Sequence, residues 1–214
     1  MKKLFLLPLF AVFLISGCVG SDKSRSDRQY SSDSAAPVVV DTVALRVAAE
    51  KARMDSLIAD ALRGDSLKEK HILIDKQALI LFLRENGQTL KSFPICAGRG
   101  IGQKKRKGDH KTPEGVYKIR SIEDARGYLH DFHDGRGKVR GAYGNWFFRL
   151  DTPQSPHIGI HGTHDPASIG TRCTEGCIRM LNEDVAELKE KVKRGMKVII
   201  LPGPEDEKVN NGIR

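Results

Sequence analysis

The sequence predicts a mainly β fold in which two sheets pack as a sandwich or a barrel-like pair. Three observations support this fold class. Short runs rich in β-branched and aromatic residues recur between positions 71 and 202, clusters of Gly, Pro and Asp separate them, and helices do not alternate regularly with the runs. With 214 residues, 39% of them hydrophobic, the chain can hold one compact domain with an ordinary core plus a tail.

Seven of these runs are predicted to be strands. They cover residues 71–74, 78–84, 89–96, 115–119, 145–150, 158–161 and 197–201. Asn86-Gly87 lies between the second and the third run and is a strong hairpin signal, because both central positions of the favoured turn need positive φ.

One helix is predicted near the end of this region, from the cap residue Asn182 to the stop signal Gly195. Acidic residues in its first turn suit the positive end of the helix dipole. Val185, Leu188 and Val192 recur at helical spacing and mark its apolar face.

The N-terminus has the pattern of a secretory signal peptide. Lys2 and Lys3 precede an apolar run over residues 4–15, which is too short to span a bilayer securely. Residues 1–17 are therefore predicted to be cleaved and to take no part in the fold.

A lipid anchor is predicted at the end of this segment. The residues Ile15-Ser16-Gly17-Cys18 resemble the bacterial lipobox, in which the cysteine is acylated and becomes the new N-terminus. Several acyl chains on one cysteine are enough for stable membrane attachment. The expected location is therefore the cell envelope, and the two residues that follow Cys18 favour the periplasmic face of the outer membrane. A buried or unmodified Cys18 is the alternative.

The rest of the chain divides into four parts. Residues 18–40 are predicted to be a flexible tether, because they have too few large apolar residues to repay the entropy of ordering. Residues 41–64 have apolar positions at helical spacing and predict a helix, which is either a spacer or packed on the domain. The predicted folded domain spans residues 71–202, and residues 203–214 form a C-terminal tail.

The charge of the chain favours an anionic partner. The formal net charge is +9, and removing the two lysines of the leader leaves +7. Because the chain is predicted to be exported, wall or envelope polymers are expected as partners rather than nucleic acid. The run Lys104-Lys105-Arg106-Lys107 is either a solvated loop or a region that steers an acidic wall polymer.

Cys177 and His161 are the candidate catalytic residues. Cys177 follows Gly176 in a turn whose amides can bind an oxyanion. A thiol needs a nearby base to act as a nucleophile near neutral pH, and His161, at the end of a predicted strand, can take its proton and return it to a leaving amine. His157 and His164 are expected to be surface loop residues.

The cysteines allow other interpretations. Disulfides are expected in an exported chain, and a Cys96–Cys173 bond would leave Cys177 free, whereas a Cys173–Cys177 bond would block it. His157, His161, Cys173 and Cys177 could also form a zinc set, although the His-x3-His spacing suits a helix and this stretch is predicted to be strand and turn. Neither a metal nor a cofactor is predicted.

Trp146 is a candidate for lining a substrate groove. It stands next to Phe147 and Phe148, and such an aromatic cluster serves either a groove or, more commonly, the core of a sheet.

These residues resemble the signature of a known family. Ile160-His161-Gly162-Thr163, Ser168-Ile169-Gly170 and Gly176-Cys177-Ile178-Arg179 are similar to the paired motifs of the L,D-transpeptidase family, the YkuD-type domain. Thr112-Pro113-Glu114-Gly115 is similar to the upstream loop of that family. The resemblance implies an L,D-transpeptidase-like β-sandwich with a helix after the catalytic cysteine.

The resemblance also assigns roles. It makes Cys177 the nucleophile and His161 the catalytic histidine, and it implies oxyanion-binding or substrate-binding positions at Thr174, Gly176, Gly162 and Arg179. Glu175 departs from the family pattern, which usually has histidine there. A carboxylate beside the cysteine raises the cysteine pKa, whereas one beside His161 stabilises the imidazolium, so its effect depends on where it points.

The function that the resemblance implies is peptidoglycan cross-linking. Cys177 would attack the carbonyl of the third residue of a stem peptide, release the terminal D-alanine, and pass the acyl group to an amine of a neighbouring stem. Carbapenems are implied as inhibitors. The alternatives are transfer to water, as in an L,D-carboxypeptidase, attachment or release of wall proteins, and a catalytically inactive wall-binding lipoprotein.

Overall fold

The computed structural model describes residues 68–153 and 155–212, together with Ala52, Ser56 and Ala59. The predicted signal peptide, Cys18 and the tether lie outside the described residues. Of the helix predicted over residues 41–64, only Ala52, Ser56 and Ala59 are described, and all three are helical and exposed. No helix in the described part of the chain combines the length and apolarity needed to cross a bilayer.

The fold is mainly β, as the sequence predicts. In chain order the strands are β1 His71–Asp75, β2 Ile80–Glu85, β3 Gln88–Pro94, β4 Ala97–Gly98, β5 Gly115–Asp124, β6 Leu129–Asp131, β7 Lys138–Arg140, β8 Trp146–Leu150, β9 Gly159–His161, β10 Arg172–Thr174, β11 Ile178–Arg179 and β12 Lys197–Leu201. Within residues 68–212, eight strands form one mixed sheet in the order β11-β9-β8-β5-β12-β1-β2-β3. Two small sheets pair β4 with β10 and β6 with β7.

The predicted hairpin between β2 and β3 is confirmed. The two strands pair antiparallel, and Glu85 lies opposite Gln88 across the two-residue turn. Asn86 has φ 52° and Gly87 has φ 74°, the positive values that a tight turn of this type requires.

Strand β5 turns the sheet over on itself. Its residues from Gly115 to Lys118 pair with β12, and those from Ile119 onwards pair with β8. The register shifts between Ile119 and Ser121, and an irregularity of this kind bends a strand. The two layers of the predicted sandwich are therefore the two halves of one curled sheet.

One hydrophobic core lies between these halves. Side chains alternate across each strand, so Ile72 and Ile74 of β1 share the core with Phe148 of β8, Ile160 of β9 and Ile200 of β12. All five are fully excluded from solvent. Burial of side chains of this size stabilises the fold by roughly 1.5–3 kcal/mol each. Packing of Ile160 therefore fixes β9, the strand that carries His161.

The helix predicted to begin at Asn182 is shorter than expected. Helix α1 spans Asn182–Lys189 and does not reach Gly195. Leu181 occupies the cap position, so the prediction of Asn182 as the cap is wrong. The reason is that the Asn182 amide is engaged elsewhere: it accepts a hydrogen bond from the Thr163 N–H and donates one to the Thr163 carbonyl.

A second helix, α2, spans Pro204–Asn210 in the segment predicted to be a tail. The carboxylate of Asp206 in this helix is fully buried. It lies 3.1 Å from Lys76 Nζ and 2.9 Å from Arg172 Nη2. The segment thus packs against the domain and supplies a counter-charge to two cations of the domain.

Candidate active site

A cavity of about 500 Å³ brings together most of the predicted site residues. Cys177, His161, Thr174, Glu175 and Arg179 all line it. Residues from two separate sequence motifs therefore face the same solvent-filled space, as a catalytic site requires.

The pairing of two short strands explains why Cys177 and His161 meet. Strands β9 and β11 run parallel, with Ile160 opposite Ile178 and His161 opposite Arg179. Cys177 directly precedes β11 and so lies beside Gly159, two residues from His161. Because residues two apart in a strand share a face, the thiol and the imidazole lie on the same side of the sheet.

His161 is held as a neutral base. Its Nδ1 lies 2.6 Å from the carbonyl oxygen of Gly162, and since a carbonyl only accepts, Nδ1 carries the proton and Nε2 keeps its lone pair. Burial lowers the pKa of His161 to about 3, and the nearby positive charge of Arg179 acts in the same direction. The ring stacks on Phe147 with an interplanar angle of 3° and meets the edge of Tyr143.

Cys177 is held as a neutral thiol. Burial raises its pKa to about 11, opposed by the Gly159 N–H and the charges of Lys104 and Arg149. The sulfur donates a hydrogen bond of 3.4 Å to the carbonyl of His157. Among the described residues, no hydrogen bond joins Cys177 Sγ to the ring of His161. A rotation of the Cys177 side chain is therefore needed before its proton can pass to Nε2.

The two histidines predicted to be surface loop residues are both exposed. His157 nevertheless lines the cavity, in addition to holding the thiol through its carbonyl. His164 packs its ring against Phe132, with centroids 5.2 Å apart. Neither imidazole has the buried, carbonyl-bound geometry of His161.

The turn before Cys177 is fixed by two threonines. Thr174 Oγ1 donates to the Cys177 carbonyl at 2.6 Å and accepts from the Gly176 N–H at 3.1 Å. Thr112 Oγ1 donates to the Gly176 carbonyl at 3.0 Å. Gly176 has φ +129°, and a Cβ there would lie 2.6 Å from the carbonyl oxygen of Lys111. Only glycine allows the turn to pack so closely against this loop.

Of the three cysteines in the described part of the chain, two form a disulfide and Cys177 is unpaired. The bond joins Cys96 to Cys173, with their Cα atoms 6.3 Å apart. This confirms the pairing that leaves the proposed nucleophile free and excludes a Cys173–Cys177 bond. It also rules out the zinc set considered above, because that set needs a Cys173 thiolate.

Glu175 makes its contacts with His130 and Arg99 in the cavity wall. Its carboxylate lies 3.6 Å from His130 Nε2 and 4.0 Å from Arg99 Nη2. Its negative charge contributes to the raised pKa of Cys177. Of the two effects considered for Glu175, it therefore has the one that makes the thiol a weaker acid.

Two further residues of the cavity wall were missed in the sequence. His130 comes from β6 and accepts or donates a 2.8 Å hydrogen bond between its Nδ1 and the hydroxyl of Tyr143. Tyr143 in turn meets the ring of His161 edge-on, with centroids 4.9 Å apart. No short motif marks these residues, because they reach the cavity from a separate hairpin and from the loop before β8.

Arg179 and Trp146 have different surroundings. Arg179 is largely buried in the cavity wall, where Nη1 donates to Ser168 Oγ at 2.8 Å while Nε has no partner among the described residues. Trp146 is not among the residues that line this cavity. It packs against the hydrophobic core, and Lys189 Nζ lies 5.0 Å from its ring centroid. Gly162 acts through its backbone: its carbonyl oxygen accepts the hydrogen bond from Nδ1 of His161.

The fold and the cavity define a mainly β domain with a neutral imidazole on β9 and an unpaired thiol directly before the neighbouring strand β11. Residues 69–200 match the model of one family, described as YkuD, the L,D-transpeptidase catalytic domain, and the chain belongs to this family.

Two relatives share the printed name "Putative L,D-transpeptidase YkuD". The one from Bacillus subtilis is 34% identical over 130 residues, which are 61% of this chain and 65% of the relative. The one from Bacillus licheniformis is 31% identical over 147 residues, which are 69% of this chain and 74% of the relative. A solved L,D-transpeptidase from Mycobacterium smegmatis is 20% identical with a TM-score of 0.49, covering 62% of this chain and 58% of that one. The chain thus spans slightly less than two thirds of the Bacillus subtilis relative.

Proposed function

We propose that this protein is a peptidoglycan L,D-transpeptidase that links the third residues of neighbouring stem peptides. One observation carries the proposal: a neutral imidazole on β9, with an available Nε2, and an unpaired thiol directly before the adjacent strand β11 line one cavity. Family membership supports the reaction type.

The first half-reaction forms a thioester. Cys177 Sγ turns from the His157 carbonyl towards His161, gives its proton to Nε2 and attacks the carbonyl carbon of the third stem residue. The N–H of Cys177 is the donor proposed to hold the resulting oxyanion. The intermediate then collapses with cleavage of the peptide bond, and the imidazolium returns the proton to the departing amine of D-alanine.

The second half-reaction releases the enzyme. An amine on the third residue of another stem attacks the thioester carbonyl, and His161 takes the proton that this amine loses. Sulfur then leaves as the thiolate and recovers a proton from the imidazolium. The high pKa of Cys177 and the low pKa of His161 favour proton transfer during attack over a preformed ion pair.

The cavity charge suits an acidic peptide. Arg99, Lys104, Lys107 and Arg179 line it, and Glu175 is the single carboxylate among its lining residues. We propose that Arg179, Thr174, Gly176 and Gly162 bind or shape the peptide around the attacked carbonyl.

Defined tetrapeptide muropeptides test the function. Released D-alanine together with cross-linked dimers is the expected result, and Cys177→Ala should abolish both. His161→Gln should lower turnover about 10²- to 10⁴-fold, while the exposed His164→Gln serves as the matched control. Release of D-alanine without dimers would instead identify an L,D-carboxypeptidase. If neither muropeptides nor wall-protein donors gave a product, the remaining interpretation would be an inactive wall-binding protein.

A carbapenem provides an independent test of the nucleophile. Intact mass spectrometry should show one covalent adduct on the native protein and none on Cys177→Ala. Absence of an adduct from both proteins would argue against an active thiol.

We also propose that Cys18 carries a lipid anchor that holds the domain at the periplasmic face of the outer membrane. The lipobox-like sequence before Cys18 supports this location. Metabolic labelling with a fatty acid, lost in Cys18→Ala, followed by separation of the two membranes, tests both parts of the statement.

A further inference from the structure

We propose that Thr112 is a positioning residue for the Cys177 amide, and that a buried group of charges around Lys76 holds Thr112 in place. The inference rests on the proposed function, because it explains how the turn before the nucleophile is kept ready for an oxyanion.

The hydroxyl of Thr112 acts both as a donor and as an acceptor of hydrogen bonds. It donates to the Gly176 carbonyl at 3.0 Å and accepts from the Gly98 N–H at 2.8 Å. Thr112 has no solvent exposure, so water does not compete for either bond. The Gly176 carbonyl is therefore fixed in direction by a side chain whose own orientation is fixed.

Fixing this carbonyl also fixes the Cys177 N–H. The carbonyl of Gly176 and the N–H of Cys177 belong to the same planar peptide unit, and in a trans peptide they point in opposite directions. With the carbonyl directed at Thr112, the N–H points away from the Thr112 loop. Without that hydrogen bond, the peptide unit after Gly176 loses the contact that sets the direction of its carbonyl, at a residue type with few steric restrictions.

The main chain of Thr112 is anchored by a buried lysine. Lys76 Nζ donates to the Thr112 carbonyl at 3.3 Å and to Glu114 Oε1 at 2.7 Å. It also pairs with Asp206 Oδ1 at 3.1 Å. The side chains of Lys76, Glu114 and Asp206 are no more than 3% exposed. Loss of one carboxylate would leave the buried Lys76 ammonium short of one partner, so we expect the group to act as one unit.

Asp206 connects this group to the C-terminal helix. Its carboxylate also accepts the N–H groups of Gly102 at 2.7 Å and Gly203 at 2.9 Å. Asn210, one helical turn further on, accepts from the Gln103 N–H at 2.7 Å. Helix α2, the loop before β5 and the cysteine turn are thus joined by a continuous path of hydrogen bonds.

Two reagents separate a positioning role from a structural one. A p-nitrophenyl ester acylates Cys177 through a tetrahedral oxyanion, whereas iodoacetamide alkylates the same sulfur without forming an oxyanion. Thr112→Val keeps the branched shape and removes the hydroxyl, and Thr112→Ser keeps the hydroxyl. The burst of p-nitrophenol and the rate of alkylation are measured for the full chain, with the unfolding midpoint recorded for each variant.

We expect Thr112→Val to slow ester acylation about 10- to 100-fold, with alkylation unchanged within about twofold, and Thr112→Ser to acylate at close to the native rate. Native acylation by Thr112→Val, or an equal loss of acylation and alkylation, would overturn the proposal. Failure of the native protein on tetrapeptides, with normal ester acylation, would refute the proposed function and leave the role of Thr112 intact.

A second pair of variants tests the buried charges. Asp206→Asn should also slow ester acylation. Glu205 is an exposed neighbour, and Glu205→Gln should leave the rate unchanged. Native acylation by Asp206→Asn would overturn the assignment of the network.

Discussion

Removing the Cys96–Cys173 disulfide is expected to destabilise the domain strongly. The two cysteines are 77 residues apart in the sequence. Opening a loop of this length returns chain entropy to the unfolded state, and the loop-closure relation gives about 4.5 kcal/mol for the loss in stability. That is a large share of the roughly 5–15 kcal/mol that stabilises a typical domain.

Urea unfolding of oxidised and reduced protein measures this loss. All samples carry Cys177→Ala, so that the unpaired thiol cannot exchange with the disulfide. With a slope of about 2 kcal/mol per molar urea, the midpoint should fall by about 2 M on reduction. The double variant Cys96→Ala/Cys173→Ala is the control and should match the reduced protein. If the urea midpoint of the reduced protein and that of the double variant both fell by less than about 0.3 M, the entropic argument would be refuted.

Three further outcomes are expected. Because the pKa of the Cys177 thiol is raised to about 11, its thiolate fraction grows with pH throughout the range from pH 7 to 10. The rate of alkylation by iodoacetamide should therefore rise about tenfold per pH unit in this range. A rate that levels off below pH 8 would contradict a neutral resting thiol. Glu175→Gln removes a charge that raises this pKa and should speed alkylation at pH 8 about two- to fivefold, with the exposed Glu183→Gln as the unaffected control. Phe148→Ala, at a fully buried core position, should cost about 3–5 kcal/mol in urea unfolding, whereas Leu90→Ala, 48% exposed, should change it little.

The sequence predicted strands with an uninterrupted apolar pattern better than the others. Residues 71–74, for example, carry a buried apolar run that belongs to β1, and such runs are visible without a structure. Strands β4 and β11 have two residues each, too few to show any period. The second half of β5 was missed because Arg120, Ser121, Glu123 and Asp124 interrupt the apolar pattern where the strand passes from one half of the sheet to the other.

The site shows a similar division. Cys177 and His161 were predictable because reactive side chains stand among glycines in two motifs. His130 and Tyr143 were not, since their place in the wall depends on how a separate hairpin folds over the cavity. For Trp146 the sequence left a groove and the sheet core as alternatives, because an aromatic cluster in a strand does not show which residue faces the core.

The buried carboxylate of Asp206 changes where a shortened protein can safely end. The family match stops at residue 200, yet the counter-charge for Lys76 and Arg172 comes six residues later, from α2. A recombinant fragment cut at the family boundary would leave a fully buried ammonium group short of one partner, at a cost of about 3–5 kcal/mol for a broken pair of this type. A fragment ending after Gly212 keeps the complete charge cluster and is the physically sound choice for expression and crystallisation.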